Sequence, residues 1–359
     1  MKNIGFKLGI LTVIIHIISL CGFSYITYKL YHNFIFRFIR IVYDNTLGYL
    51  PFASLYLFLT IVFITLICIG YHVYWILKNQ SPWPSTKKMV MISLNFIGCV
   101  YFLFYFLWAF NYYGPSIKNR LGWQEMTPDS SAILKELNFV TEKVNSLRIH
   151  LSQDTSELHF KPDWNTLENN IRISEASLLQ SWGIPTYGRV RIRRLQPPGI
   201  LLRISTAGVY IPFVCEGHID SGMNALQWPF TLAHEMAHGY GFTDEGECNF
   251  IGFLTSINSN DPYVNYSGWL AYWRYLYFDV YSLSESNAEV VFDCLFLGVK
   301  ADLKAIRADV NKYPDIFPSL RDGFYELYLK FHGVNHGLKS YNEIIELVLT
   351  WKKNERVTN

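Results

Sequence analysis

The chain has 359 residues, of which 50% are hydrophobic, 17% aromatic and only 17% charged. That charged share is low for a soluble protein of this length, and a net charge of +2 gives no basic excess with which to hold nucleic acid. The apolar residues are unevenly spread: positions 1–110 hold three long apolar runs, whereas 111–359 read as a globular domain long enough to bury its own core.

The first run, LGILTVIIHIISLCGFSYI, covers about 8–26, the second about 51–76 and the third about 89–110. Each reaches the ~20 residues that a helix needs to cross the hydrocarbon core. None contains Asp, Glu, Lys or Arg. A cleaved signal peptide explains at most the first run, so three transmembrane helices in a lipid bilayer are expected. Their orientation does not follow from charge. Lys2, Lys7, Lys78, Lys87 and Lys88 on one side balance Lys29, Arg37, Arg40, Lys118 and Arg120 on the other. FIFRFIRIVYDN, between the first two runs, reads as a short amphipathic helix on a membrane face, or equally as an extension of the first helix. His16 and His72 read as packed or interfacial histidines. Cys21, Cys68 and Cys99 fall within the spans, and Cys215, Cys248 and Cys294 make no disulfide framework and read as small buried residues, or at most one bridge with one thiol left over.

In the globular part, TPDSSAILKELNFVTEKVNSL has the signature of a helix start, with Thr127 as cap and Pro128 in the first turn. A second helix should follow Asp163 and run to Gly183. RVRIRRLQPPGILLRISTAGVYIPFVCEGHIDSG holds short β-branched runs broken by Pro and Gly, the mark of a small sheet. From Trp228 to about Lys353 the chain turns helical again, with breaks near 239–241, 258–262, 313–318 and 333–337. Strands followed by a run of helices predict an α+β domain.

The chemistry is concentrated in TLAHEMAHGYGFTDEGECNF. His234-Glu235-Met236-Ala237-His238 is an HExxH. On a helix, residues four apart stack on one face, so two imidazoles can reach one Zn²⁺ ion while Glu235 stands beside them as a general base. Pro229 before the motif and Gly239 and Gly241 after it define a helix with ends. The preceding GVYIPFVCEGHIDS reads as strand, and an edge strand there can pair with an extended peptide.

A hydrolytic zinc site takes three protein ligands and leaves one position open. Three acids compete for third place. Asp244 completes HExxHxxGxxD, the metzincin spacing with Asp for the last His, but no methionine follows Met236 to make the Met-turn of that class. Glu245 lies one helical turn from Asn249, which can then hold a ligand histidine by hydrogen bond. Glu247 would point elsewhere on that helix. Glu245 is therefore the favoured ligand, with Glu247 and Asp244 as alternatives.

WPFTLAHEMAHGYGFTDEGECNF, NYSGWLAY and YLKFHGVNHGLKSYNEIIELVL resemble a bacterial family carrying domain of unknown function 3810. The resemblance covers most of 40–355 and is strongest at Gly208–Leu254. It implies spanning helices followed by a zincin-like domain, anchored in the bacterial inner membrane with the second part outside the cytoplasm. His234, Glu235 and His238 match the family's HExxH. Glu245, Glu247, Asn249 and Phe250 match its E-x-E-A-N-F stretch, with Cys248 in place of Ala. That stretch is also similar to the E-x-x-A-D pattern of gluzincin peptidases, whose first Glu binds zinc. Asn249 here replaces the gluzincin Asp, and six residues separate His238 from Glu245, a short spacer.

An oxyanion needs a donor besides the metal. Tyr341, His336 and Tyr266 are candidates in helix-flanking loops, and His218 is a similar one in the strand region. The aromatic run GWLAYWRYLYFDVY reads as core packing or contact with the bilayer surface. The leading expectation is a membrane-anchored zinc metallopeptidase with an unknown peptide or protein substrate. Its rivals are a zinc-binding membrane sensor without turnover, and a structural module in which Asp244 or Cys248 closes the coordination.

Overall fold

The computed structural model describes residues 3–79, 82–316 and 343–358. The chain divides into two units. The first holds Met1–Gly114 together with Tyr187–Arg189 and Ile211–Glu216, and the second holds Pro115–Thr186, Val190–Tyr210 and Gly217–Asn359. The boundary near 114 lies close to the change in composition, but the two short insertions into the first unit have no counterpart in the hydropathy pattern.

In the first unit, three helical stretches are long and apolar enough to cross a membrane: Ile4–Tyr49, Ser54–Asn79 and Thr86–Leu107. The first is not one straight helix. Helix α1 (Ile4–Ile18) runs into a kink at Cys21 and Gly22, where Gly22 has φ +105°; only glycine enters that region without steric cost. Helix α2 (Ser24–Leu30) and, after a π-helical turn, α3 (Arg37–Asp44) complete the stretch. Helix α4 is Ser54–Asn79, and α5 is Pro82–Leu107. Phe63, Ile64, Tyr71 and many other side chains of α4 are exposed, as suits a helix whose surroundings are as apolar as itself.

Small residues bring α1 against α5. A Cβ added to Gly98 would lie 2.4 Å from the Gly5 carbonyl oxygen, and one added to Gly9 would lie 2.7 Å from Gly98 Cα. Close backbone approach of this kind replaces the hydrophobic drive that lipid removes. The Asn95 carboxamide oxygen accepts the Phe6 N–H at 3.2 Å across the same seam.

The stretch expected to lie on a membrane face forms α3, but Arg40 turns inward and is fully buried. Its guanidinium donates to Asp44 Oδ1 at 2.7 Å and to the Cys215 carbonyl at 2.5 Å. The Tyr43 hydroxyl donates to the Phe213 carbonyl at 2.9 Å, and the Phe213 ring stacks on Phe58 at 5.3 Å. Glu216 Oε2 accepts the Ser54 N–H and hydroxyl at 2.9 and 2.7 Å, placing an acid at the positive end of α4.

The second unit is mostly helical with a small sheet, an α+β arrangement. Helix α6 is Ile117–Leu121, α7 is Ser130–Leu151 and α8 is Trp164–Ser181. The cap of α7 is Asp129, whose carboxylate accepts the Ala132 N–H at 2.7 Å, rather than Thr127. Strands β1 (Ile192–Leu195), β2 (Gly208–Ile211) and β3 (Glu216–Asp220) form a sheet in the order β1-β3-β2. β1 runs parallel to β3 with Ile192 opposite Gly217. The buried Asp220 carboxylate accepts N–H groups from Gly199, Leu201, Leu202 and Gly222 at 2.7–3.1 Å, which closes the loop between β1 and β2.

Helices α9 (Trp228–Gly239), α10 (Glu245–Ile257) and α11 (Pro262–Leu283) follow, then α12 (Glu285–Asp293), α13 (Leu297–Asn311) and α14 (Glu343–Thr358). The expected breaks after His238, at Asn258 and from Tyr313 are present, and further ones occur at Ser284 and Cys294–Phe296. The one expected near 333–337 lies outside the described residues. Trp273 on α11 donates its indole N–H to Thr141 on α7 at 2.8 Å. None of the six cysteines, all of them among the described residues, forms a disulfide, and Cys294 is exposed rather than buried.

Gly98→Leu should lower the thermal midpoint of the full chain in detergent, at a cost of at least the ~1–3 kcal/mol of core overpacking. Gly70 has nothing within 4 Å of its absent Cβ, so Gly70→Leu is the matched control. Equal midpoints for the two variants would contradict the α1–α5 seam.

Candidate metal centre

Helix α9 is buried over nearly its whole length, which a short helix with apolar residues on every face requires. Pro229 occupies its first turn, where its missing N–H leaves nothing unsatisfied. His234 and His238 stand one turn apart with ring centroids 5.0 Å apart. The chain then turns back through Gly241 at φ +97°, and Asp244 caps α10 by accepting the Glu247 N–H at 2.9 Å.

Helix α10 begins at Glu245 and lays that carboxylate beside both imidazoles. Glu245 Oε2 lies 3.2 Å from His234 Nε2 and 3.7 Å from His238 Nε2. One ligand atom from each of the three residues falls within 4.8 Å of the others. Two ligands on a tetrahedral zinc ion at about 2.1 Å lie roughly 3.4 Å apart, and the two measured separations bracket that value.

The far sides of the rings are spoken for. His234 Nδ1–H donates to Asn249 Oδ1 at 2.8 Å, and His238 Nδ1–H donates to the Phe242 carbonyl at 2.9 Å. With Nδ1 as the donor to these acceptors, each ring, once neutral, would turn its Nε2 lone pair toward the cluster, the tautomer a metal ligand needs. Burial opposes charge on Glu245, but His238 and His234 beside it outweigh that and hold its carboxyl well below the ordinary range.

Glu235 lies between the motif histidines in sequence and is 3% exposed. Among the described residues its Oε2 has no hydrogen-bond partner, and burial pushes its carboxyl up to about 7. Two glycines make room for it. A Cβ on Gly208 of β2 would lie 2.4 Å from Glu235 Oε1, and one on Gly217 of β3 would lie 3.1 Å from Glu235 Cβ. The donor set of two imidazoles and a carboxylate, with an unpartnered acid beside it, fits a zinc ion.

The other candidates are placed elsewhere. Glu247 Oε1 accepts the Ile117 N–H at 2.5 Å, and burial raises its carboxyl to about 8. Asp244 is occupied as the cap of α10. Cys248 Sγ lies 3.3 Å from His238 Nδ1, on the opposite side of the ring from Nε2, so it cannot share an ion held by Nε2. Neither residue proposed to close the coordination joins the convergent atoms. Tyr266 is not in a loop: it sits inside α11, fully buried, and its hydroxyl donates to Asp302 at 2.8 Å, where Asp302 also pairs with Arg148. It is committed to that network and is not free as an oxyanion donor. His218 is buried in β3. His336 and Tyr341 lie outside the described residues.

Sequence reasoning missed Tyr275, whose hydroxyl donates to Asn249 Oδ1 at 3.1 Å, as well as Gly208, Gly217 and the Phe242 carbonyl. Helical spacing places Tyr275 in an aromatic run but carries no sign of which helix its hydroxyl faces.

A family model described as "Protein of unknown function (DUF3810)" matches residues 31–349. No curated protein and no solved structure matches the chain.

Glu245→Gln should weaken zinc binding by more than the ~10–100-fold typical of outer-shell changes, while Glu247→Gln leaves it unchanged, both read by chelator competition on full-length protein. The reverse ranking would move the third ligand to Glu247.

Proposed function

We propose that this chain, which belongs to the DUF3810 family, is a membrane-anchored zinc metallopeptidase of gluzincin-like type. The convergence of His234 Nε2, His238 Nε2 and Glu245 Oε2 beside the buried Glu235, whose Oε2 has no partner among the described residues, carries the reading. Zinc bound by these three residues would supply a Lewis acid that polarises water and a substrate carbonyl.

The chain's own groups supply the rest. Glu235 Oε2 accepts a proton from the attacking water and later returns it to the leaving amine. Its carboxyl, raised to about 7 by burial, would be lowered by a nearby cation and so be ionised when needed. Strand β2 lies at the edge of the described sheet and carries Gly208 against Glu235. A peptide added along that edge would run past the base with its backbone hydrogen-bonded. A peptide bond is thus favoured as the substrate class.

The three apolar helices support a multi-pass anchor in a bacterial inner membrane, and the family resemblance favours an extracytoplasmic second unit. Protease protection of sealed vesicles would test that orientation.

On purified full-length protein, Glu235→Gln should keep its zinc by elemental analysis and lose ~10²–10⁴-fold in hydrolysis of a peptide library. Wild type without zinc would remove the site. Zinc with equal cleavage in both proteins would remove Glu235 as the base, and zinc without cleavage in either would favour a metal-dependent sensor.

A further inference from the structure

One oxygen in the second unit receives hydrogen bonds from two helices. Asn249 Oδ1 on α10 accepts from His234 Nδ1–H on α9 at 2.8 Å and from the Tyr275 hydroxyl on α11 at 3.1 Å. The Tyr275 ring packs against Phe230, one turn before His234, with centroids 6.2 Å apart. The half-buried tyrosine therefore touches the neighbourhood of His234 twice, once through its ring and once through Asn249.

A carboxamide has two ends of similar shape and opposite polarity. With Oδ1 toward His234, Nδ1 must carry the proton and Nε2 keeps its lone pair for the convergent cluster. With the amide turned over, its NH₂ would face Nδ1 and favour the other tautomer. That tautomer puts a proton on Nε2, where a cation would otherwise sit. The terminal torsion of Asn is broad and roughly two-fold, so each donor on the oxygen side adds to the preference for one orientation. A phenol is the stronger as a donor. Placed beside this amide, it favours the orientation in which the oxygen faces both it and His234.

We propose that Tyr275 is a positioning residue for the metal centre, fixing the Asn249 amide so that His234 offers an unprotonated Nε2. The hydroxyl lies on the Nδ1 side of His234, away from Nε2, so its action runs through Asn249 and not through contact with substrate. Burial raises the phenol to about 12, and it stays a donor across the physiological range. The inference rests on the metal-centre reading above.

The test is a double-mutant cycle on full-length protein in detergent, with zinc alone as the probe and chelator competition as the readout. Tyr275→Phe keeps the ring on Phe230 and removes only the hydroxyl. It should weaken zinc binding ~10–100-fold, the usual cost of losing outer support, with the thermal midpoint of the metal-free protein nearly unchanged. A carboxylate has no wrong orientation, since either oxygen accepts. In an Asn249→Asp background the same Tyr275→Phe change should therefore cost less than about 3-fold, which is within roughly 0.7 kcal/mol at 25 °C. A purely structural tyrosine would produce equal losses in both backgrounds and a fall in the metal-free midpoint. That pattern, or undiminished zinc binding by Tyr275→Phe, overturns the proposal while leaving the metal centre standing. Wild type that binds no zinc overturns both.

Discussion

Glu245 reaches the two imidazoles of α9 because α10 comes unusually close to that helix, and the approach depends on a residue with no side chain. Gly252 lies seven positions beyond Glu245, on the face that also carries Asn249. A Cβ there would stand 3.2 Å from the His234 backbone nitrogen and 3.3 Å from the Phe230 carbonyl oxygen. Acid, amide and glycine thus form one stripe: the first meets the Nε2 atoms, the second meets Nδ1 of His234, and the third lets the backbones touch. Any outward shift of α10 would lengthen the 3.2 Å separation of Glu245 and His234 and the hydrogen bond of Asn249 together.

Two buried glutamates show how the same side chain is put to different use. Burial raises both Glu235 and Glu247, to about 7 and about 8. Glu247 has an N–H from Ile117 to bind, so it fastens the start of α6 to α10. Among the described residues Glu235 Oε2 has no hydrogen-bond partner, and an unsatisfied buried carboxyl oxygen is a standing cost in stability. Groups left in that condition inside an otherwise well-bonded core cluster where strain serves function.

What could be read in the sequence was whatever depends on spacing along one helix. HExxH fixed the relation of His234 to His238, and the four-residue step from Glu245 to Asn249 predicted that both face the same neighbour. The three apolar runs were visible in composition. What stayed hidden depends on which helix packs on which. Nothing local separates Tyr275, bonded to Asn249, from Tyr266, nine residues earlier on the same helix and bonded to Asp302. Arg40 read as an outward cation of an amphipathic stretch because its partner, the Cys215 carbonyl, lies 175 positions away. Asp129 took the capping position from Thr127 because a carboxylate is at least as good a cap, and the helix starts one residue after it.

The turn between β2 and β3 belongs to the first unit, although the strand residues on either side of it, Gly208 and Gly217, border Glu235 in the second. The two units are therefore interleaved along the chain and cannot be separated by a single cut. Severing the polypeptide after Gly114 would part the turn from side chains that fasten it, among them the Arg40 guanidinium on Cys215, the Tyr43 hydroxyl on Phe213 and the Ser54 donors on Glu216. What remained would keep all the candidate ligands, yet the ribbon flanking its acid would end in a hairpin whose tip had lost its mooring.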